Sequence, residues 1–417
     1  MSNKKFDVIV VGAGPAGSMT GYYLAKEGVS VAIFDKDKFP REKACGGGLQ
    51  VRAVKRIPVD LSPVLRGILK GITFSFRLGD RYSKKYHLPL VYSVLRAEFD
   101  NLLLESAQRS GAKVYESIKV ISIDSLRPDL VSVQTNAGEY LCNVLVGADG
   151  ANSITRKSIN TLADYFWQVG LYGEIPEEYL NKHLIEYEQM RVDLGTLPSG
   201  YGWIFPKNGY CNIGVGSPTI IGHRLRSYLQ EFVEREKVFK DGALEKLRFS
   251  GHKLPTLTKT TKFYKGSIIL VGDAAGLVEP LTGDGISYAL HSSHLAAGSI
   301  LRNLNNSIFD FKGYDSAVKN EIVGELNFSR RLLSFFIAFP RLTHEVIKYN
   351  ERVWEAFCKV LRGEESYGAF GLSGFIWHPV SKLASFYESR RLLENRSEET
   401  AFFRVLRKLF IPLLKRI

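Results

Sequence analysis

A lone cysteine followed by three glycines is the first place in this sequence where chemistry is expected. The run EKACGGGLQ spans residues 42–50 and carries Cys45 directly before Gly46, Gly47 and Gly48. A thiol there could donate a proton, hold a hydrogen bond to a substrate or fill an apolar gap, and buried single cysteines are usually inert. Glycines lack a Cβ, so the backbone can lie against a flat ligand. The role of Cys45 therefore depends on whether a ligand binds nearby.

A second glycine pattern, close to the N-terminus, predicts a bound dinucleotide. The segment VIVVGAGPAGSMTGYYLAKEGVSVAIFDKD is typical of a strand, a glycine turn, a helix and a second strand that ends at Asp35. Gly12 permits the turn, Gly14 lets the backbone approach a pyrophosphate, and Gly17 lets the helix pack close to the strand. The helix N-terminus attracts the anion, and Asp35 is placed to accept from a ribose hydroxyl. The cofactor residues predicted here are Gly12, Ala13, Gly14, Pro15, Ala16, Gly17, Asp35 and Lys36.

Two later segments decide between NAD and FAD. The run YLCNVLVGADGANSITR at 140–156 is a strand that enters Asp149 and Gly150, and GSIILVGDAAG at 266–276 is a strand that ends at Asp273. These segments resemble the DG and GD motifs of the p-hydroxybenzoate hydroxylase-like flavoproteins, whose fold binds FAD in an extended form. The predicted cofactor is therefore FAD.

The GD motif is followed by glycine turns and a helix that we expect to begin near Asp284 and Gly285. The resemblance implies that Asp273 holds the ribityl chain of FAD, and an aspartate at that position also suits a helix cap. It further implies a cofactor contact for Arg96, which precedes an amphipathic helix; the alternative is a surface arginine at a helix start. The additional cofactor residues predicted are Cys45, Gly46, Arg96, Val120, Asp149, Gly150, Asp273, Gly285 and Ile286.

The cysteine–glycine run and one aromatic strand narrow the family. FPREKACGGGLQ at 39–50 resembles the CGG-type motif of the geranylgeranyl reductases, and SGYGWIFPKNGYCNIGVGS at 199–217 resembles their aromatic strand. The resemblance covers about the first 300 residues. It implies reduction of isolated C=C bonds of a polyprenyl (geranylgeranyl) lipid by reduced FAD, with Cys45, Gly46 and Gly47 at the catalytic site.

The aromatic strand is expected to form the opposite wall of that site. Tyr201, Trp203 and Phe205 alternate along it, which places three rings on one face, and we expect Pro206 to end the run. A flat apolar wall suits a prenyl chain. The alternative is that these rings are ordinary sheet core.

The predicted fold is a Rossmann-like FAD-binding domain of p-hydroxybenzoate hydroxylase type, with an inserted antiparallel-sheet substrate domain and a helical C-terminal region. The expected boundaries are 1–70 with 96–160 and 262–304 for the FAD-binding domain, 71–95 with 161–261 for the sheet domain, and 305–417 for the helical region.

Composition and charge narrow the expected metals, partners and cellular location. The four cysteines have no zinc-like spacing, so we expect neither a metal site nor a disulfide framework, and a cytoplasmic location. The formal charge of +13 favours acidic partners, and no nucleic-acid motif accompanies it. Neither a signal region nor a transmembrane anchor is expected. The electron donor is left open between NAD(P)H and ferredoxin, because no second dinucleotide motif follows.

Two further questions stay open on sequence alone. The tail TAFFRVLRKLFIPLLKRI at 400–417 is basic and amphipathic. This fits either peripheral contact with the inner face of an anionic cell membrane or docking of the tail on the folded remainder of the protein. The alternative functions are a monooxygenase or halogenase of the same fold and a non-catalytic, flavin-holding membrane-associated protein. Halogenases carry W-x-W-x-I-P, where this chain has Tyr201 at the first tryptophan.

Overall fold

The structure is a computed structural model that describes residues 4–159, 164–258, 261–306 and 309–368. The basic tail at 400–417 lies outside the described residues. Of the helices that are described, none combines the length and the apolar character needed to cross a membrane.

The strands and helices follow one another along the chain from Lys4 to Leu361. The strands are β1 Lys4–Val11, β2 Val31–Phe34, β3 Gly48–Gln50, β4 Leu65–Leu69, β5 Gly71–Phe76, β6 Arg81–Lys85, β7 Val91–Val94, β8 Lys113–Tyr115, β9 Val120–Arg127, β10 Leu130–Thr135, β11 Gly138–Gly147, β12 Tyr165–Pro176, β13 Gln189–Leu194, β14 Tyr201–Lys207, β15 Tyr210–Pro218, β16 Ser250–Leu257, β17 Tyr264–Lys265 and β18 Ile268–Leu270. The α-helices are α1 Pro15–Lys26, α2 Val51–Val54, α3 Arg96–Arg109, α4 Ile154–Ile159, α5 Leu225–Arg235, α6 Ala243–Lys246, α7 Ile286–Asn306, α8 Lys312–Val318, α9 Gly324–Ala338, α10 Pro340–Tyr349 and α11 Glu351–Leu361.

The first sheet contains the predicted nucleotide unit β1–α1–β2. Its strand order is β17-β18-β11-β1-β2-β8, with β9 and β10 added beside β11, and the central strands are parallel. Their interiors are apolar on both faces, which is typical of a covered parallel sheet. Because carboxyl ends of parallel strands share one edge, the loops that carry Gly14, Asp35, Asp149 and Asp273 lie together there.

The second sheet is mostly antiparallel and holds the aromatic strand at an inner position. Its order is β16-β12-β15-β14-β13-β5-β6, with only β13 and β5 parallel among the pairs described. The prediction that Pro206 ends the aromatic run is wrong, because β14 continues to Lys207 and Pro206 pairs with Cys211. The pairing of β14 with β13 stops at Ile204, so Pro206 has no neighbouring strand on that side. The backbone N–H that proline lacks is therefore not needed for a hydrogen bond between strands.

A small third sheet positions the cysteine–glycine run. Its order is β3-β7-β4, and β3 begins at Gly48, directly after Cys45, Gly46 and Gly47. Ahead of that strand, the Val94 backbone N–H donates to the Gly47 carbonyl at 2.8 Å. The run is thereby fixed on the edge of β7 and does not form a free loop.

Helices α8 to α11 make up the C-terminal part of the described chain, and α9 to α11 pack against the second sheet. Lys319–Val323 forms a π-helical turn between α8 and α9. Trp354 of α11 meets the Phe74 ring of β5 edge-on, with ring centroids 6.2 Å apart. Leu333 and Phe336 of α9 join the same buried cluster. The division of the chain into the three predicted domains stays a proposal.

Candidate active site

A cavity of about 860 Å³ runs between the two large sheets. This volume lies within the usual range for cofactor and ligand sites. One part, the nucleotide arm, is bounded by the loops after β1, β2, β11 and β18. The other part, the apolar arm, is lined by side chains of β5, β13, α9, α10 and α11, namely Ile72, Phe74, Met190, Val192, Leu194, Leu333, Phe336, Val346, Ile347 and Phe357. All predicted site residues except Ala13 and Gly17 line the cavity.

The glycine turn shapes the nucleotide arm at the start of α1. Gly12 has a φ of 101°, and a Cβ on Gly17 would lie 1.8 Å from the Gly12 carbonyl oxygen, so both positions require glycine. A Cβ on Gly14 would meet only Arg41 Nη2, at 3.7 Å, so this residue faces open space in the cavity. The first turn of α1, itself fully described, has no side-chain cap. Its amides are thus free to bind an anion such as a pyrophosphate.

Asp35 holds the glycine turn at the end of β2. Its carboxylate accepts from the Ala13 backbone N–H at 2.7 Å and from the Asp37 backbone N–H at 2.9 Å. Lys36 follows at the cavity edge and is exposed. Both carboxylate oxygens are thereby held in place at the edge of the cavity, and the ribose contact of Asp35 stays a prediction.

Asp149 caps a helix at the end of β11. Its carboxylate accepts from Ser153 Oγ at 2.6 Å and from the Ile154 backbone N–H at 2.7 Å. Gly150, with a φ of 75°, has open space where a Cβ would lie. The following Arg156 donates to the Asp273 carbonyl at 3.2 Å, which ties this loop to the loop after β18.

The expected helix cap at Asp273 is not observed. Asp273 lies within the 3₁₀ turn Gly272–Ala275, and Asp284 caps α7 instead by accepting from the Ser287 backbone N–H at 3.0 Å. Fifteen residues, 271–285, lie between β18 and α7 and form turns of their own. The Asp273 carboxylate lies beside the start of α7, with Oδ1 2.9 Å from the position that a Cβ on Gly285 would occupy, but it does not accept from an amide of that helix. Helix α7 begins at Ile286, as predicted.

Near Asp273 lie two basic side chains, His252 and Lys43, that sequence reasoning missed. His252 Nε2 lies 3.6 Å from its carboxylate, and Lys43 Nζ lies 3.1 Å from the His252 ring. Burial opposes ionisation, yet His252, Lys43 and Arg96 hold the pKa of Asp273 below its usual value. Lys43 could have been identified from the sequence, because it stands two residues before Cys45. No sequence motif surrounds His252.

Replacing Lys43 by methionine should stabilise the cofactor-free protein at neutral pH. Burial lowers the pKa of Lys43, with Asp273 opposing and Arg96 and Arg41 adding to the effect. Between the two pKa values the unfolded chain therefore binds more protons than the folded one. The free energy by which the Lys43 charge destabilises the folded protein falls as pH rises from the folded pKa towards the unfolded value of about 10.5. Thermal unfolding of both proteins between pH 6 and 10.5 should show a difference that narrows with pH. A constant difference would contradict this cause.

Arg96 is the first residue of α3 and points inward. Its side chain is 9% exposed and forms two hydrogen bonds with Asp100, at 2.8 and 2.7 Å. Burial disfavours its charge, but the neighbouring Asp100 and Cys45 raise the pKa of Arg96 above its usual value. The surface interpretation is thereby excluded.

The three glycines make room for neighbouring protein groups. A Cβ on Gly46 would lie 2.9 Å from Phe205 Cε2, and one on Gly47 would lie 2.2 Å from the Val94 carbonyl oxygen. Cys45 stands beside them, half-buried, and its Sγ accepts from the Gly47 backbone N–H at 3.3 Å. The run therefore packs directly on the aromatic strand and presents the thiol to the cavity.

The three rings of β14 form one wall of the cavity. The Tyr201 and Trp203 centroids are 5.9 Å apart, and Trp203 and Phe205 are stacked at 6.3 Å. Tyr201 Oη donates to the Thr282 carbonyl at 2.5 Å, which joins the wall to the loop before α7. The predicted alternation along the strand is thus observed.

Comparison with known proteins identifies the class. Residues 5–169 match the model of the FAD binding domain family FAD_binding_3. A geranylgeranyl bacteriochlorophyll reductase-like protein from Thermoplasma acidophilum aligns with a TM-score of 0.70 and 22% identity, covering 81% of this chain and 88% of that one. The flavin-dependent brominase Bmp2 aligns with a TM-score of 0.70 and 19% identity, covering 86% and 94%. Fold and site therefore define an FAD-dependent oxidoreductase of p-hydroxybenzoate hydroxylase type, as predicted.

Relatives in sequence give the family. A Methanosarcina barkeri protein described as uncharacterized is 32% identical over 81% of this chain and 85% of its own length. The menaquinone reductase of Mycobacterium tuberculosis is 32% identical, covering 70% and 75%. The digeranylgeranylglycerophospholipid reductase of Methanocaldococcus jannaschii is 31% identical, covering 72% and 77%. The chain belongs to the geranylgeranyl reductase family, and its cofactor is FAD.

Proposed function

We propose that this enzyme saturates C=C bonds in the geranylgeranyl or polyprenyl chain of an isoprenoid lipid. The observation that carries the proposal is the apolar arm, which is continuous with the part of the cavity lined by Cys45 and Trp203. The name of the Methanocaldococcus jannaschii relative supports the same substrate class.

Energetics favour a long apolar ligand. Burying a chain of about 20 carbons at roughly 0.8 kcal/mol per methylene gives a gross gain above about 10 kcal/mol before association costs. The aliphatic and aromatic lining of the apolar arm provides this burial. The polar head can then stay outside the arm, so we expect loose selection for the head group.

The nucleotide arm fits FAD, because Gly14 leaves open space beside the uncapped start of α1. We assign the pyrophosphate to that turn, a ribose hydroxyl to Asp35 and the ribityl chain to Asp273. Gly285 and Ile286 would lie against the ring. When bound and reduced, FAD supplies the hydride.

Proton delivery is the task we assign to Cys45. An isolated alkene is a poor electrophile, so a proton must reach one carbon as hydride reaches the other. The Sγ atom receives a hydrogen bond from the Gly47 backbone N–H at 3.3 Å, and the Arg96 guanidinium interacts with it electrostatically. These two groups would hold the sulfur after it releases its proton.

The Cys45→Ala variant should keep FAD but lose turnover. We expect double-bond reduction to fall by about 10²-fold, the usual contribution of a positioned acid. Flavin content and product formation, measured on the same preparation, separate the two effects. Cys142→Ala is the control, since that thiol is buried inside the first sheet and does not line the cavity. Unchanged turnover in Cys45→Ala would remove the thiol from the chemistry.

Anaerobic turnover tests the function as a whole. The holoenzyme is reduced, oxygen is excluded, and a digeranylgeranylglycerol phospholipid or menaquinone is added. A reductase reoxidises its flavin and yields saturated chains. A monooxygenase or halogenase cannot yield saturated chains without oxygen, and neither can a non-catalytic flavoprotein. With menaquinone the saturated product decides, because the quinone ring alone can oxidise reduced flavin.

The electron donor and membrane contact need separate experiments. We propose that NAD(P)H or ferredoxin reduces the flavin, and stopped-flow reduction with each donor would choose between them. For membrane contact, we propose the basic tail at 400–417. Flotation of the full chain with anionic liposomes should exceed that of a chain truncated at residue 400. Equal flotation would count against the tail.

A further inference from the structure

Two polar residues of the aromatic-strand motif have no part in the proposed reaction. Lys207 ends β14 and Asn212 lies in β15, and their exposed fractions are 1% and 0%. Lysine is almost never fully buried unless it is paired. Their partners therefore reveal what these positions do.

Both residues converge on one carboxylate. Lys207 Nζ donates to Glu174 Oε1 at 2.7 Å, and Asn212 Nδ2 donates to the same oxygen at 2.9 Å. Glu174 comes from β12, which pairs with β15 on the far side from β14. We call Glu174, Lys207 and Asn212 the polar trio.

The polar trio contacts both the aromatic wall and the cysteine–glycine run. Asn212 Oδ1 accepts from Trp203 Nε1 at 2.8 Å, and Asn212 Nδ2 also lies 3.5 Å from the Cys45 carbonyl oxygen. Lys207 Nζ lies 2.9 Å from the position that a Cβ on Gly47 would occupy. A single set of hydrogen bonds therefore spans the indole on one side and the thiol-bearing backbone on the other.

We propose that the polar trio positions Trp203 and the Cys45–Gly47 backbone relative to each other. The distance between the aromatic wall and the Cys45 thiol is thereby fixed. This inference rests on the proposed function. Stability alone does not explain the trio, because apolar residues of similar volume often replace a buried ion pair without loss. The buried Lys207 ammonium and Asn212 amide restrict geometry instead, because both donate to one oxygen of the partly exposed Glu174 carboxylate.

Variants of the holoenzyme separate positioning from stability. Lys207→Met alone should lower the unfolding temperature and reduce kcat at least about tenfold, with KM changed less than about twofold. The double variant Lys207→Met/Glu174→Gln should regain the unfolding temperature, because no unpaired charge stays buried. Its kcat should stay low. Lys84→Met, which breaks an ion pair between β6 of the same sheet and Glu351 of α11, is the matched control and should keep kcat.

A substrate-free readout makes the test independent of the reaction. The chain has four tryptophans, so the indole N–H signal of Trp203 can be assigned by NMR with Trp203→Phe. We expect that signal to shift in Asn212→Ala and in both Lys207 variants, and not in Lys84→Met. Wild-type kcat together with an unmoved indole signal in the double variant would overturn the proposal. Failure of the wild type to reduce any prenyl lipid would refute the proposed function and leave the indole test intact.

Discussion

Filling the apolar arm should abolish turnover while leaving the flavin in place. Val346 of α10 lines this arm, and Val346→Trp would occupy part of it with an indole. Displacing even six methylenes of a bound chain costs roughly 5 kcal/mol. This corresponds to a loss of more than about 10³-fold in kcat/KM for a geranylgeranyl lipid.

The same helix provides the control for this experiment. Tyr349 is 56% exposed and lies three residues further along α10, so Tyr349→Trp adds a similar ring outside the cavity. Flavin content should equal that of the wild type in both variants, and only Val346→Trp should lose lipid turnover. Full activity of Val346→Trp on a geranylgeranyl lipid would show that the prenyl chain binds elsewhere.

Gly14→Val should produce a folded protein without flavin. A Cβ at this position meets only Arg41 within the protein, so the extra methyls project into the nucleotide arm where a pyrophosphate would lie. We expect the affinity for FAD to fall by about 10³-fold, equivalent to about 4 kcal/mol. Titration of the apoprotein with FAD, followed by flavin fluorescence, measures the change.

An exposed glycine serves as the reference for Gly14→Val. Gly324 starts α9 and has open space where a Cβ would lie, so Gly324→Val should bind FAD like the wild type. Circular dichroism establishes whether each variant is folded. A folded Gly14→Val that retains yellow colour through gel filtration would place the cofactor away from this turn.

The nucleotide unit could be predicted because its signals are local. Gly12, Gly17 and Asp35 each meet a requirement set within one β–α–β segment, and the structure shows the corresponding elements. The alternation of three rings along β14 is likewise a property of a single strand. Such features need no knowledge of distant parts of the chain.

Features that depend on tertiary packing were missed or misjudged. The apolar positions of α9 to α11 have ordinary amphipathic spacing, and nothing in that spacing says which of them face a cavity. Asp273 was expected to cap a helix, but Asp284, which follows the intervening turns, caps α7 instead. Lys207 and Asn212 acquire partners only when β12 pairs with β15.

The origin of the cavity walls has a consequence for chain-length selection. The nucleotide arm is bounded by the loops after β1, β2, β11 and β18, whereas much of the apolar arm is supplied by α9 to α11 and the remainder by β5 and β13. Under the proposed function, exchange of these helices between relatives would alter which substrate chain fits and leave the nucleotide arm unchanged. A new substrate range could thus evolve, or be engineered, within one contiguous stretch of the gene.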